Sequence, residues 1–174
     1  MRRRGFPVST ALAFLLAIAA DRLSKLWVVS SLELEVPWAP VPALGKWFTF
    51  TYIHNTGAAF GMFPQAGTLF AVVQALVLVG LILWYDRLPV HHLPVRAAVG
   101  LIMAGALGNL IDRLTTRYVV DFLDFKFWPI FNLADSAVVV GVVILGLYML
   151  LGEEASPEAR ASTECMGREQ SPGV

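Results

Sequence analysis

Four stretches of this chain are each long and apolar enough to cross a lipid bilayer, which takes ~20 helical residues. They run from about Val8 to Val29, Gly67 to Tyr85, Val95 to Ile111 and Leu133 to Leu151. Inside hydrocarbon each backbone N–H and C=O needs a partner within the protein, so isolated apolar runs of this length become helices. The expected fold is therefore an all-α polytopic membrane protein, with four transmembrane helices in residues 1–152. Composition agrees, since 57% of the 174 residues are hydrophobic and mean hydropathy is +0.66. Only 15% are charged, against about 25% in a soluble domain. The tail at 153–174 is polar and reads as a disordered cytoplasmic extension.

A net charge of zero with no basic stripe argues against nucleic acid as a partner. The single cysteine, Cys165, excludes an intramolecular disulfide and any Cys-based metal cluster. No metal or cofactor is expected, and the chain is read as a monomer among membrane lipids.

The first span imitates a cleavable signal peptide, with Arg2-Arg3-Arg4, an apolar run and Ala17-Ile18-Ala19. Two features favour a retained helix. Leu26-Trp27-Val28-Val29 carries the apolar character onward, and Asp21 and Lys25 are spaced i,i+4, where they share a helical face and can pair. Basic residues then set the orientation. The N-terminal arginines, together with Arg87, Arg96, His91 and His92 between spans two and three, point to cytoplasmic termini. The loops at 30–66 and 112–131 fall outside. Trp27, Trp38, Trp47 and Trp128 lie near that outer interface, where indoles are favoured.

Within this frame two carboxylates stand out. Asp121 lies in Tyr118-Val-Val-Asp-Phe-Leu, and Asp135 sits two residues inside the last span. An ionisable group at the edge of hydrocarbon costs roughly 2.5–3.5 kcal/mol on insertion scales, so it is read as functional by default. Other polar residues gather at the same level. Asn109, Asp112 and Arg113 end the third span on one face, and Asn132 precedes Asp135 by three residues. Helix capping is the competing role for Asn132.

The outer loop at 30–66 also carries a pattern. Trp47-Phe-Thr-Phe-Thr-Tyr-Ile53 alternates like a strand, so a small strand-rich cap is expected. It runs into His54-Asn55-Thr56-Gly57-Ala58-Ala59-Phe60-Gly61, whose small residues permit tight turns or close approach to a ligand. Along the third span Gly100, Ala104 and Gly108 recur every four residues, as do Ala137 and Gly141 on the fourth. Such stripes let helices approach closely in lipid.

Together these blocks resemble the bacterial lipoprotein signal peptidases (signal peptidase II). The resemblance rests on Asp21-Arg-Leu-Ser-Lys25, Asn55-Thr-Gly-Ala-Ala-Phe-Gly61, Gly105-Ala-Leu-Gly-Asn-Leu-Ile-Asp-Arg113, Val119-Val-Asp-Phe122 and Phe131-Asn-Leu-Ala-Asp-Ser136. It implies an aspartyl endopeptidase of the bacterial cytoplasmic (inner) membrane, with its site near the outer surface. Such an enzyme cuts diacylglyceryl-modified prolipoproteins just before the lipidated cysteine. It also implies an extracytoplasmic β-cradle, a catalytic pair at Asp121 and Asp135, and a polar surround of Asp21, Lys25, Asn55, Gly57, Asn109, Arg113 and Asn132. Asp112 joins that surround by position. From the residues alone a proton-coupled transporter and a non-catalytic assembly factor remain open. A transporter would normally place its aspartates near the bilayer midplane and be built from repeats, which are not visible here.

Overall fold

The computed structural model describes residues 7–57 and 66–152. Arg2–Arg4, the Ala58–Gly61 part of the glycine-rich segment and the 153–174 tail lie outside the described residues. Among the described residues four long helices carry the fold: α1 (Val8–Ser31), α2 (Ala66–Trp84), α3 (Leu93–Thr115) and α4 (Leu133–Gly152). Among the described residues, three stretches are long and apolar enough to cross a membrane: Gly67–Arg87, Leu93–Thr115 and Leu133–Leu151. Helix α1 is as long, at 24 residues, but carries Asp21, Arg22 and Lys25 in one turn.

Helix α3 is the hub. It packs against α1, α2 and α4 and buries the most side chains of the four. Its glycines make this possible. A Cβ at Gly100 would stand 2.6 Å from the Thr10 carbonyl oxygen of α1, and one at Gly105 would stand 2.2 Å from that of Ala134 in α4. The expected stripe is thus half right. Gly100 and Gly108 meet α1, whereas α4 rests on Gly105, and Gly141 of α4 sits against Ala98 and Ile102. On α2 and α4 apolar side chains face outward along the helix, including Leu69, Leu76, Leu83, Val139 and Leu150. Apolar surface on this scale belongs against lipid.

A three-stranded antiparallel sheet, ordered β1 (Pro37–Trp38), β2 (Phe48–Asn55), β3 (Val119–Phe125), covers one end of the bundle. Strand β2 is the expected one. Strand β3 lies inside the stretch expected to be an outer loop at 112–131, which in fact begins inside α3 and contains a strand. Val28 at the end of α1 packs with Tyr52, Val120 and Phe122, so the sheet shares a small core with that helix. Trp27, Trp38 and Phe50 cluster at the same junction, with ring centroids 5.5–6.1 Å apart, Trp38 stacked on Phe50 and Trp27 edge-on to both.

A candidate active site between the sheet and the helices

Asp121 and Asp135 come from different elements, and backbone pairing brings them together. Between Phe50 and Ile53 strand β2 gains one residue relative to β3, so Phe50 pairs with Leu123 but Ile53 pairs with Asp121. A bulge of this kind switches which residues share a face. Without it Asp121 would face Tyr52 and His54. With it, Asn55 falls on the Asp121 side and donates through Nδ2 to Asp121 Oδ2 at 2.7 Å. On the other edge of β3, Phe131 bonds to Leu123 through N–H and C=O alike. That tie delivers Asn132 and the start of α4 to the same place.

Asn132 then does two jobs. Its Oδ1 accepts from the Asp135 backbone N–H at 2.9 Å, while Asp135 Oδ2 accepts from the Asn132 N–H at 3.3 Å. This reciprocal pair is a capping box for α4, so the expected capping role is real. Its Nδ2 donates to Asp121 Oδ1 at 2.6 Å and to Asn109 Oδ1 at 3.1 Å. Asn109 in turn donates from Nδ2 to Asp135 Oδ1 at 2.7 Å. Each of the four carboxylate oxygens therefore accepts a hydrogen bond, three of them from asparagine amides. Asp121 is fully buried. Burial, with the negative charge of Asp135 adding to it, pushes its carboxyl up to about 7. Two carboxyls so placed can hold one proton between them near neutral pH.

A second, charged layer lies behind the asparagines. Lys25 is buried and reaches Asn109 Oδ1 at 2.9 Å, Asp112 Oδ2 at 2.8 Å and Asp21 Oδ1 at 3.0 Å. Its contacts with Asp21 and Asp112 are buried ion pairs. Arg22 closes the layer with a 2.5 Å contact to Asp112 Oδ1. The expected pairing of Asp21 with Lys25 is present, and Asp21 touches neither Asp121 nor Asp135. Its carboxylate fills the space that a Cβ on Gly108 would take, 2.5 Å away. Like-charged carboxylates around one ammonium are tolerable in the interior because each is paired.

Arg113 also reaches this site, contacting the Asn109 carbonyl oxygen at 3.4 Å within electrostatic reach of Asp135 and Asp121. Its guanidinium donates to Gln74 Oε1 at 3.1 Å and lies over the Phe70 ring, while its Nε is buried without a partner among the described residues. Gly57 has φ of +85°, and a Cβ there would meet Phe70 at 2.9 Å, so glycine is required. Arg22 and Gln74 were missed as site residues. Gln74 was legible as the one polar side chain in the middle of an apolar helix. Among the described residues no group of three or more His, Cys, Asp or Glu could hold a metal ion.

Outward-facing apolar helices, capped by a sheet, with one buried and one half-buried carboxylate held on amide donors, define a membrane-integral protein with the makings of a hydrolase. Comparisons with known proteins make the class specific. Residues 13–151 match the family profile for signal peptidase (SPase) II, peptidase A8. A lipoprotein signal peptidase of Moorella thermoacetica is 44% identical over 137 residues, covering 79% of this chain and 89% of that one. Another from Halothermothrix orenii is 42% identical over 135 residues, covering 78% and 90%. A bacterial membrane enzyme solved at 1.9 Å superposes with a TM-score of 0.75 at 28% identity, over 86% of this chain and 97% of that one. The chain belongs to the signal peptidase II family, and it is a membrane-integral peptidase.

Proposed function

We propose that this chain is an aspartic endopeptidase that removes signal peptides from diacylglyceryl-modified prolipoproteins, cutting before the lipidated cysteine, with Asp121 and Asp135 as the catalytic pair. One observation carries the reading: two carboxyls from separate elements, joined through Asn132 and with every oxygen on a donor. In such a pair the ionised carboxylate takes a proton from water as the water oxygen attacks the scissile carbonyl carbon. The protonated partner gives its proton to the carbonyl oxygen. Collapse of the resulting diol breaks the C–N bond as the nitrogen leaves protonated, and the pair returns to one shared proton.

The supporting residues divide by geometry. Both amide hydrogens of Asn132 are engaged by Asp121 and Asn109, so its role is orientation. Lys25, Asp21, Asp112 and Arg22 hold Asn109 and tie α1 to α3. Arg113 reaches the Asn109 carbonyl oxygen and lies within electrostatic reach of both aspartates, which supports a role for its terminal nitrogens in meeting the substrate backbone or the developing oxyanion. All four helices, α1 included, cross the bacterial cytoplasmic membrane with both termini inside, and the sheet and site lie at the outer surface.

The test is cleavage of a purified prolipoprotein with and without its diacylglyceryl group, read by mass spectrometry. Release of a signal peptide ending just before the lipidated cysteine is expected, with far slower cutting of the unlipidated form. A cut elsewhere, or equal rates on the two forms, would overturn the substrate assignment.

A further inference from the structure

Beside this site, and sharing Arg113 with it, lies a cavity of about 280 Å³ between the start of α2 and the end of α3, lined also by Thr56, Gly67, Thr68, Ala71, Leu114 and Arg117. We infer that it binds the phosphodiester headgroup of an anionic membrane phospholipid. The inference rests on the membrane-integral fold and not on the peptidase chemistry.

The lining has the chemistry of an anion site. It offers, among the described residues, two guanidiniums and two hydroxyls, and no carboxylate. Among the described residues the Thr56 and Thr68 hydroxyls and the Arg117 guanidinium have no hydrogen bond or ion pair. The Arg113 Nε is buried and also unpartnered. Guanidiniums suit a phosphate because their paired donors match its oxygens.

The surroundings favour a lipid over a soluble anion. Leu114 lines the cavity and is 65% exposed, so apolar surface continues from the polar lining to the outside of the bundle. A headgroup in the cavity would leave its acyl chains along that surface. Arg117 also follows the helix end with φ of 70°, a left-handed conformation that disfavours any side chain. Glycine would be the easier residue there, so the backbone gains nothing from arginine and its value lies in the guanidinium.

Native mass spectrometry of the detergent-purified protein tests this, with phosphatidylglycerol, phosphatidylcholine and inorganic phosphate offered separately. Preferential retention of phosphatidylglycerol is expected. Arg117→Gly and Arg117→Gln should each lower it about fivefold, the effect of one basic side chain beside anionic headgroups. Arg117→Gly should melt no lower than the parent, since glycine relieves the left-handed backbone. Equal retention of the two lipids, or unchanged phosphatidylglycerol binding in both variants, would overturn the inference. Inorganic phosphate binding as well as the lipid would also overturn it. None of these readouts involves cleavage, so the inference and the proposed peptidase chemistry fail separately.

Discussion

Asp121→Asn should change stability in a pH-dependent way, because the wild-type carboxyl is held far above its ordinary value. A carboxyl at about 7 instead of 3.8 costs the folded state about 4 kcal/mol once it is fully ionised. The sign follows from the raised value. The wild type keeps this contribution below pH ~4 and loses it as pH rises through about 7. Asparagine removes the charge but also one acceptor, so the amide of Asn55 or Asn132 loses its partner. A lost hydrogen bond to a charged group costs about 1.5–3 kcal/mol. The balance above pH 8 is a gain of about 1–2 kcal/mol, or a rise in Tm of roughly 2–8 °C for a chain of this size. At pH 5 the wild-type carboxyl is neutral, the gain vanishes and the variant should melt slightly lower. Thermal unfolding in detergent from pH 5 to 9 measures the crossover. A constant Tm difference across that range would refute the burial of a shared proton at Asp121.

Lys25→Met should leave buried Asp21 with only a 3.8 Å contact to Arg22 and Asp112 on Arg22 alone, and cost about 3–5 kcal/mol, read as a large loss in Tm and in detergent-stable yield. Gly105→Ala places a methyl within 2.2 Å of the Ala134 oxygen. It should force α3 from α4 at a cost of about 1–3 kcal/mol or more, visible in the same melts. For topology, reporters fused after Val90 and after Gly152 should both read cytoplasmic, and one near Pro42 should read external. A cytoplasmic signal at Pro42 would invert the placement of the sheet and site.

The helices were largely legible because lipid imposes one pattern. Three of the four begin and end within two or three residues of the hydropathy reading. The exception, α3, extends from Ile111 to Thr115 because Asp112 turns inward to Lys25 and Arg22 instead of ending the span. Strand β2 showed through its alternation. Strand β3 did not, since Val119, Val120, Asp121 and Phe122 are all buried and leave no polar–apolar rhythm. The site residues could be found as polar groups in apolar settings, but their connections could not. The bulge in β2 decides that Asn55 and not His54 faces Asp121, and no composition rule marks it. Gly105 escaped the four-residue stripe because α3 uses different faces for α1 and α4.

The central claim is that Asp121 and Asp135 act as one proton-transfer unit. Asp121→Asn, Asp135→Asn and the double variant should be assayed on one lipidated prolipoprotein, with folding checked by thermal unfolding. Asp124→Asn serves as the control, because Asp124 pairs with Lys126, Thr49 and Thr51 away from the pair. The account predicts that each single change abolishes cleavage, that the double variant is no worse than either single one, and that the control stays active. Substantial turnover by either folded single variant, or losses that multiply in the double variant, would contradict it.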